Sequence, residues 1–141
     1  PRVETYNILL QAWAKSSERI AGERADLVLR EMSARSVSCN RITYSHALNA
    51  WASSKDPIAT TRMEALVLEM ILSGRPELEP NDVIYRTWLK GIHDCKEDDR
   101  KRRVEDVVKT MKIHNFGPAV ETLDAVKTTV GEIDTSSLQH H

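Results

Sequence analysis

The run Val3-Glu4-Thr5-Tyr6-Asn7-Ile8-Leu9-Leu10-Gln11-Ala12-Trp13-Ala14 returns 38 residues later as Arg41-Ile42-Thr43-Tyr44-Ser45-His46-Ala47-Leu48-Asn49-Ala50-Trp51-Ala52. A third copy opens 41 residues further on, at Asp82-Val83-Ile84-Tyr85-Arg86-Thr87-Trp88-Leu89. A partial fourth follows after another 38, at Val120-Glu121-Thr122-Leu123-Asp124. Between these starts a second pattern recurs, ending in Met32, Met70 and Met111: Ala25-Asp26-Leu27-Val28-Leu29-Arg30-Glu31-Met32 is its first copy. Self-similarity at a period of roughly 20–50 residues marks a stacked array, in which each unit buries its apolar face against its neighbours. Such an array repeats one equivalent position per unit along an extended surface, which suits an extended partner.

Each unit reads as two amphipathic helices. Tyr6 and Leu10, Tyr44 and Leu48, and Tyr85 and Leu89 stand four apart, so each pair shares a helix face. The periodicity predicts helices over 3–16, 20–34, 41–54, 59–73, 82–95, 99–115 and 119–131. The fold class is therefore all-α: an α-solenoid of antiparallel helix-turn-helix repeats with units 3–40, 41–81, 82–119 and a partial 120–131. A polar tail, 132–141, is expected to be disordered. Ala12, Ala50 and Gly91 share one small position that allows close helix approach. Trp13 and Trp51 are equivalent, while Ile92 takes that place in the third unit. The aromatic residues qualify either as stacking platforms or as core, and their place on the apolar stripe favours core.

The turns fit this division. Asn40 and Asn81 precede predicted helices and are good N-caps. Gly74 and Gly117 follow the second helix of a unit, and Pro76, Pro80 and Pro118 stop it from continuing. Pro57 suits the start of the fourth helix. The mixed-sign run Lys96-Glu97-Asp98-Asp99-Arg100-Lys101-Arg102-Arg103 reads as a solvated turn, with a basic binding patch as its alternative.

Composition excludes several classes. Cys39 and Cys95 lack metal-ligand spacing, so a reduced compartment and no structural metal are expected. No run approaches 18 apolar residues, the length at which a membrane span is suspected. His46, His93 and His114 belong to different elements, and His93-Asp94-Cys95 diverge around a helix. No zinc-deaminase signature, Gly-rich phosphate loop or nucleophile with a paired acid is present, so neither catalysis nor a cofactor is expected. The net charge is −1 and the pI about 6.6. After residue 119 there is one basic residue against four acidic, which leaves the body weakly positive. The chain opens on Pro1 with the repeat starting at once, and His140 and His141 close it. It reads as an excerpt of a longer protein.

The order Val-x-Thr-Tyr-Asn, then Ala-x-x-Leu-x-x-x-Met, then Gly and Pro before a polar residue, resembles the pentatricopeptide repeat, over residues 3 to 130. The tetratricopeptide opening Trp-x-x-Leu-Gly-x-x-Tyr is absent. Family units usually have 35 residues; the excess here lies between the two helices of each unit and, in the second, after Met70. Three residues are nearly one helical turn and leave the packing face unrotated. The resemblance implies a right-handed superhelix that binds single-stranded RNA, one base per repeat. It also implies a mitochondrial or plastid protein of RNA processing, stability or translation.

By resemblance, the reading side chains are the fifth residue of a unit's first helix and the residue just before the next unit. These are Asn7 with Asn40, Ser45 with Asn81, and Arg86 with Ala119. The second residue of each first helix wedges against the base: Glu4, Ile42, Val83 and Glu121. The second unit is best formed, with a base expected between Ile42 and Val83 and its edge offered to Ser45 and Asn81. In the family, Ser with Asn favours adenine, and Asn with Asn a pyrimidine, more often cytosine. A small C-A preference is the result. Arg86 departs from the pattern and suits a phosphate or a partner. The bland alternative is that Asn40 and Asn81 only cap helices while Asn7 and Ser45 are exposed polar residues. Stacking contributes about 1–3 kcal/mol per base, whereas micromolar binding needs about 8 kcal/mol net. Two usable units therefore bind weakly. The rival function is a protein scaffold holding an extended peptide in the same groove, consistent with the near-neutral charge and Glu at two wedge positions.

Overall fold

The computed structural model describes residues 2–130, apart from the side chain of Glu97. The described residues are all-α. They form α1 (Val3–Ser16), α2 (Ala21–Ala34), α3 (Arg41–Ser54), α4 (Ala59–Leu72), α5 (Asp82–His93), α6 (Glu97–Ile113) and α7 (Val120–Val130), with one 3-10 turn at Pro76–Leu78. The expected tail, and residue 131 of the seventh predicted helix, lie outside the described residues.

Three expectations about the turns are corrected. The charged run at 96–103 is not a solvated turn, because α6 begins at Glu97. Asp98 and Asp99 fall in the first helical turn, where negative charge is favoured. Arg100 folds back and donates to the Cys95 carbonyl at 3.0 Å. The third first-helix accordingly stops at His93, two residues early, and Cys95 N–H closes the turn on the Ile92 carbonyl. Gly117 is not the left-handed residue that ends a second helix. That conformation belongs to Ser36 (φ 58°), Gly74 (φ 69°) and Asn115 (φ 52°). After α2 and α6 the amide of the next residue, Val37 or Phe116, bonds the Met32 or Met111 carbonyl in a Schellman turn. After α4 the extra residues alter this closure. They wind into the 3-10 turn, bury Leu78, and are tied down by Arg75 to the Cys39 carbonyl at 3.4 Å and Arg41 to the Glu79 carbonyl at 3.0 Å.

The odd helices form a row in which α1 packs on α3, α3 on α5 and α5 on α7. Each even helix packs against the two odd helices that flank it in sequence. The Tyr/Leu stripe lies inside, as Tyr6, Leu10, Tyr44, Leu48, Tyr85 and Leu89 are all buried. Burial pushes the Tyr85 phenol up to about 12; burial and the Glu69 carboxylate also raise that of Tyr44. What stacking covers is visible by comparing equivalent positions. Thr43, Ala47 and Ala50 of α3 are buried in the helix packed against α1 and α2, whereas their equivalents Thr5, Leu9 and Ala12 of α1, the first helix of the row, are exposed.

Trp51 is the hub between the first two units, 1% exposed. Its ring lies so close to Gly22 of α2 that a Cβ there would overlap the indole. The indole Nε1 donates to Asp26 Oδ1 at 3.0 Å. Asp26 Oδ2 accepts from Arg62 Nε at 3.0 Å and Nη2 at 2.9 Å, so α2, α3 and α4 share one polar network around the ring. Gly91 makes the corresponding close approach in the third unit, against the Met63 thioether and the Ala52 backbone.

His46 of α3 is half-buried. Burial, and secondarily Lys15, lowers its pKa below the ordinary 6.5. The unfolded chain therefore binds the proton more readily, so stability declines as pH falls through 6.5 and levels off below the folded value. Urea midpoints measured from pH 7.5 to 5 should drop less for His46→Gln than for the native chain; parallel curves would show that His46 contributes nothing.

Candidate functional site

The residues expected to read a base cluster where the N-terminal turns of successive odd helices meet. In the first unit they bind one another. Asn40 caps α3, its Oδ1 accepting from Thr43 N–H at 2.9 Å, while Thr43 Oγ1 accepts from Asn40 N–H at 3.1 Å. This is a reciprocal capping box. Asn7 reaches across from α1 to join it. The Thr43 hydroxyl lies 2.7 Å from Asn7 Oδ1 and 2.9 Å from Asn40 Oδ1, and its single proton serves the shorter contact. Asn7 Nδ2 completes the cluster with a long bond of 3.5 Å to Asn40 Oδ1. Asn7 and Asn40 are thus brought together, but the Asn7 oxygen faces the Thr43 hydroxyl and the Asn40 oxygen accepts from Thr43 and from the Asn7 amide.

The third unit is tied in a similar way. Ala119 has no side-chain acceptor with which to cap α7, and Asp82 of α5 instead takes the part that the Thr43 hydroxyl plays in the first unit, accepting from the N-cap amide. Asp82 Oδ1 accepts from Ala119 N–H at 2.8 Å and from the Thr122 hydroxyl at 2.6 Å. Arg86 Nη1 in turn donates to Thr122 Oγ1 at 3.3 Å. A guanidinium has five donors, so this contact leaves Arg86 able to meet an anion.

The second unit differs at one position. Ile84 stands where Thr43 and Thr122 stand in their helices, and it is fully buried. Asn81 caps α5 through Oδ1, accepting from Ile84 N–H at 3.0 Å, but no hydroxyl follows it. The Ser45 hydroxyl and Asn81 Nδ2 have no hydrogen-bond partner among the described residues, and both side chains are half-buried. The flanking wedge residues Ile42 and Val83 are 57% and 47% exposed. Glu4 and Glu121, at the same position of the outer units, are exposed carboxylates. Capping and reading are therefore compatible in this unit: the cap uses the Asn81 oxygen and leaves the amide nitrogen and the Ser45 hydroxyl for a ligand edge.

At the other ends of α3 and α5 lies a cleft of about 470 Å³. Its charged lining mixes Lys55, Lys96 and Arg103 with Asp56, Asp94 and Asp99, and so favours neither sign. Among the described residues no group of three His, Cys, Asp or Glu side chains is placed to hold a metal ion. Comparison with protein-family models, with curated proteins and with solved structures returns no match to this chain.

Thr43, Asp82, Ile84 and Thr122 are the site residues that sequence reasoning missed. A signal existed, since Thr5, Thr43 and Thr122 recur in one register and Ile84 alone breaks it.

Proposed function

We propose that the chain is a stretch of an α-solenoid of the pentatricopeptide kind that binds single-stranded RNA, with its base-reading site in the second unit. The observation that carries this reading is the pairing of unpartnered polar groups on Ser45 and Asn81 with exposed apolar side chains, Ile42 and Val83, to either side. A flat base inserted between two apolar side chains loses water from both faces, while hydroxyl and amide groups meet its edge. The row of odd helices, which repeats this position along one line of first turns, supports a strand running across the units. By the resemblance, Ser with Asn selects adenine. The first unit, in which both polar atoms of the Asn7 side chain are engaged internally, adds little, so the earlier expectation of a C-A context narrows to a single adenine.

Binding should be weak. One stacked base contributes about 1–3 kcal/mol, and the weakly basic body adds little through phosphates. A titration of the chain with short oligoadenylate at low salt should show binding that weakens as salt rises. Ser45→Ala and Asn81→Gly should each reduce affinity about three- to tenfold, the cost of one hydrogen bond; glycine at 81 is chosen because it remains an acceptable N-cap. Equal binding by both variants would count against the reading. The exposed Glu4 and Glu121 favour a second occupant, an extended peptide. Salt-insensitive binding of peptides with no response to oligoadenylate would assign the surface to it.

A further inference from the structure

The first two interfaces between units are built from equivalent residues, with different side chains at three of four positions. At the first, the Trp51 indole lies against Gly22 and donates to Asp26, whose carboxylate also accepts from Arg62 Nε at 3.0 Å. One unit on, Ile92 stands for Trp51, Thr60 for Gly22 and Glu64 for Asp26, while Arg103 retains the guanidinium of Arg62. Thr60 and Arg103 both line the cleft of about 470 Å³ at the far ends of α3 and α5. Glu64 does not line it and makes no ion pair with Arg103. Asp99, one turn before Arg103, bonds Arg102 instead at 3.4 Å. Arg103 Nε is thus buried with no acceptor among the described residues, where Arg62 Nε has a carboxylate.

We propose that this cleft binds a small aromatic zwitterion, of the class of a free aromatic α-amino acid, independently of any RNA. The ligand carboxylate takes on Arg103 the place that the Asp26 carboxylate takes on Arg62. A buried guanidinium N–H without an acceptor is costly, and a carboxylate satisfies it through a charge-assisted hydrogen bond. Ala52, Ala59 and Gly91 line the cleft without bulky side chains, which suits a flat ring. The charged lining sets three cationic side chains against three carboxylates. A singly charged ligand meets repulsion there as well as attraction, whereas an ammonium and a carboxylate on one carbon match both signs. The volume falls within the roughly 300–1,000 Å³ of small-molecule sites.

The probes are L-tryptophan and its two singly charged relatives, indole-3-propionate and tryptamine. Each is added to the chain while backbone amide NMR shifts are followed. Tryptophan should move Thr60, Gly91 and Cys95, and should bind about tenfold more tightly than either relative, the worth of one charge-assisted contact. Arg103→Lys keeps the charge but loses the planar fork, and should weaken tryptophan binding about tenfold. Arg102→Lys, an exposed neighbour on the same helix, should bind like the native chain. Absence of shifts at Thr60, Gly91 and Cys95, or shifts scattered over the surface, would overturn the site. Equal binding by Arg103→Lys and Arg102→Lys would remove the guanidinium that defines it. Tighter binding of either relative than of tryptophan would overturn the zwitterion as its ligand.

Discussion

Truncation of Trp51 to alanine should destabilise the protein by about 3–5 kcal/mol, the range for removing a buried aromatic side chain. Three consequences combine at this residue. The indole is almost wholly buried, so its removal opens a cavity between α2 and α3. Gly22 packs directly on the ring and has no side chain with which to refill the space. Asp26, 12% exposed in the native chain and paired to Arg62, loses the donor at its Oδ1. Trp51→Phe separates the terms: it keeps most of the volume and removes only the Nε1 donor, and should cost about 1–2 kcal/mol. Chemical denaturation with urea measures both. A Trp51→Ala loss below about 1 kcal/mol would mean that the ring is not the hub of the first interface.

Gly22→Ala should be the more disruptive of two otherwise identical substitutions, with an overpacking cost of about 1–3 kcal/mol. At Gly22 the new methyl meets three atoms of a rigid indole that is itself held by Asp26. At Gly91 it meets the Sδ and Cε of Met63, the far end of a flexible side chain that can rotate away. Gly91 also lies in the last turn of α5, where alanine gains up to about 1 kcal/mol of helix propensity over glycine. Gly91→Ala should therefore stay within about 1 kcal/mol of the native chain. Since the obstruction is the indole, Trp51→Leu should rescue part of the Gly22→Ala loss in a double-mutant cycle. Equal effects of the two glycine substitutions, or full additivity in that cycle, would overturn this account of the close approaches.

The helices were legible because their signals are local. Asn40 and Asn81 announce starts that the structure places at the next residue, and the four-residue Tyr/Leu spacing marks the face that becomes core. The misread segments depend on contacts that no window of sequence contains. The run 96–103 is the exception: its exposed charges sit on the first turns of α6 rather than in a turn, and Arg100 closes on Cys95 only five residues back. Gly22 reads as a weak helix residue until the Trp51 ring is placed against it. Asp26 looks like one more polar residue of an amphipathic helix, yet it joins an indole and a guanidinium on two other helices. The candidate site was legible at Ser45, Asn81, Ile42 and Val83 as positions. That Asn7 and Asn40 engage each other through Thr43 was not, because capping and inter-unit bonding are decided by which oxygen faces which hydroxyl.

The most direct test of the RNA-reading proposal is a map of where a strand touches the protein. Backbone and side-chain NMR shifts should be followed while short oligoadenylate is added at low salt. The changes should concentrate at Ile42, Ser45, Asn81 and Val83, with smaller ones at Arg86, and should fade as salt is raised. No response from those four residues, or changes confined to α2, α4 and α6, would contradict it.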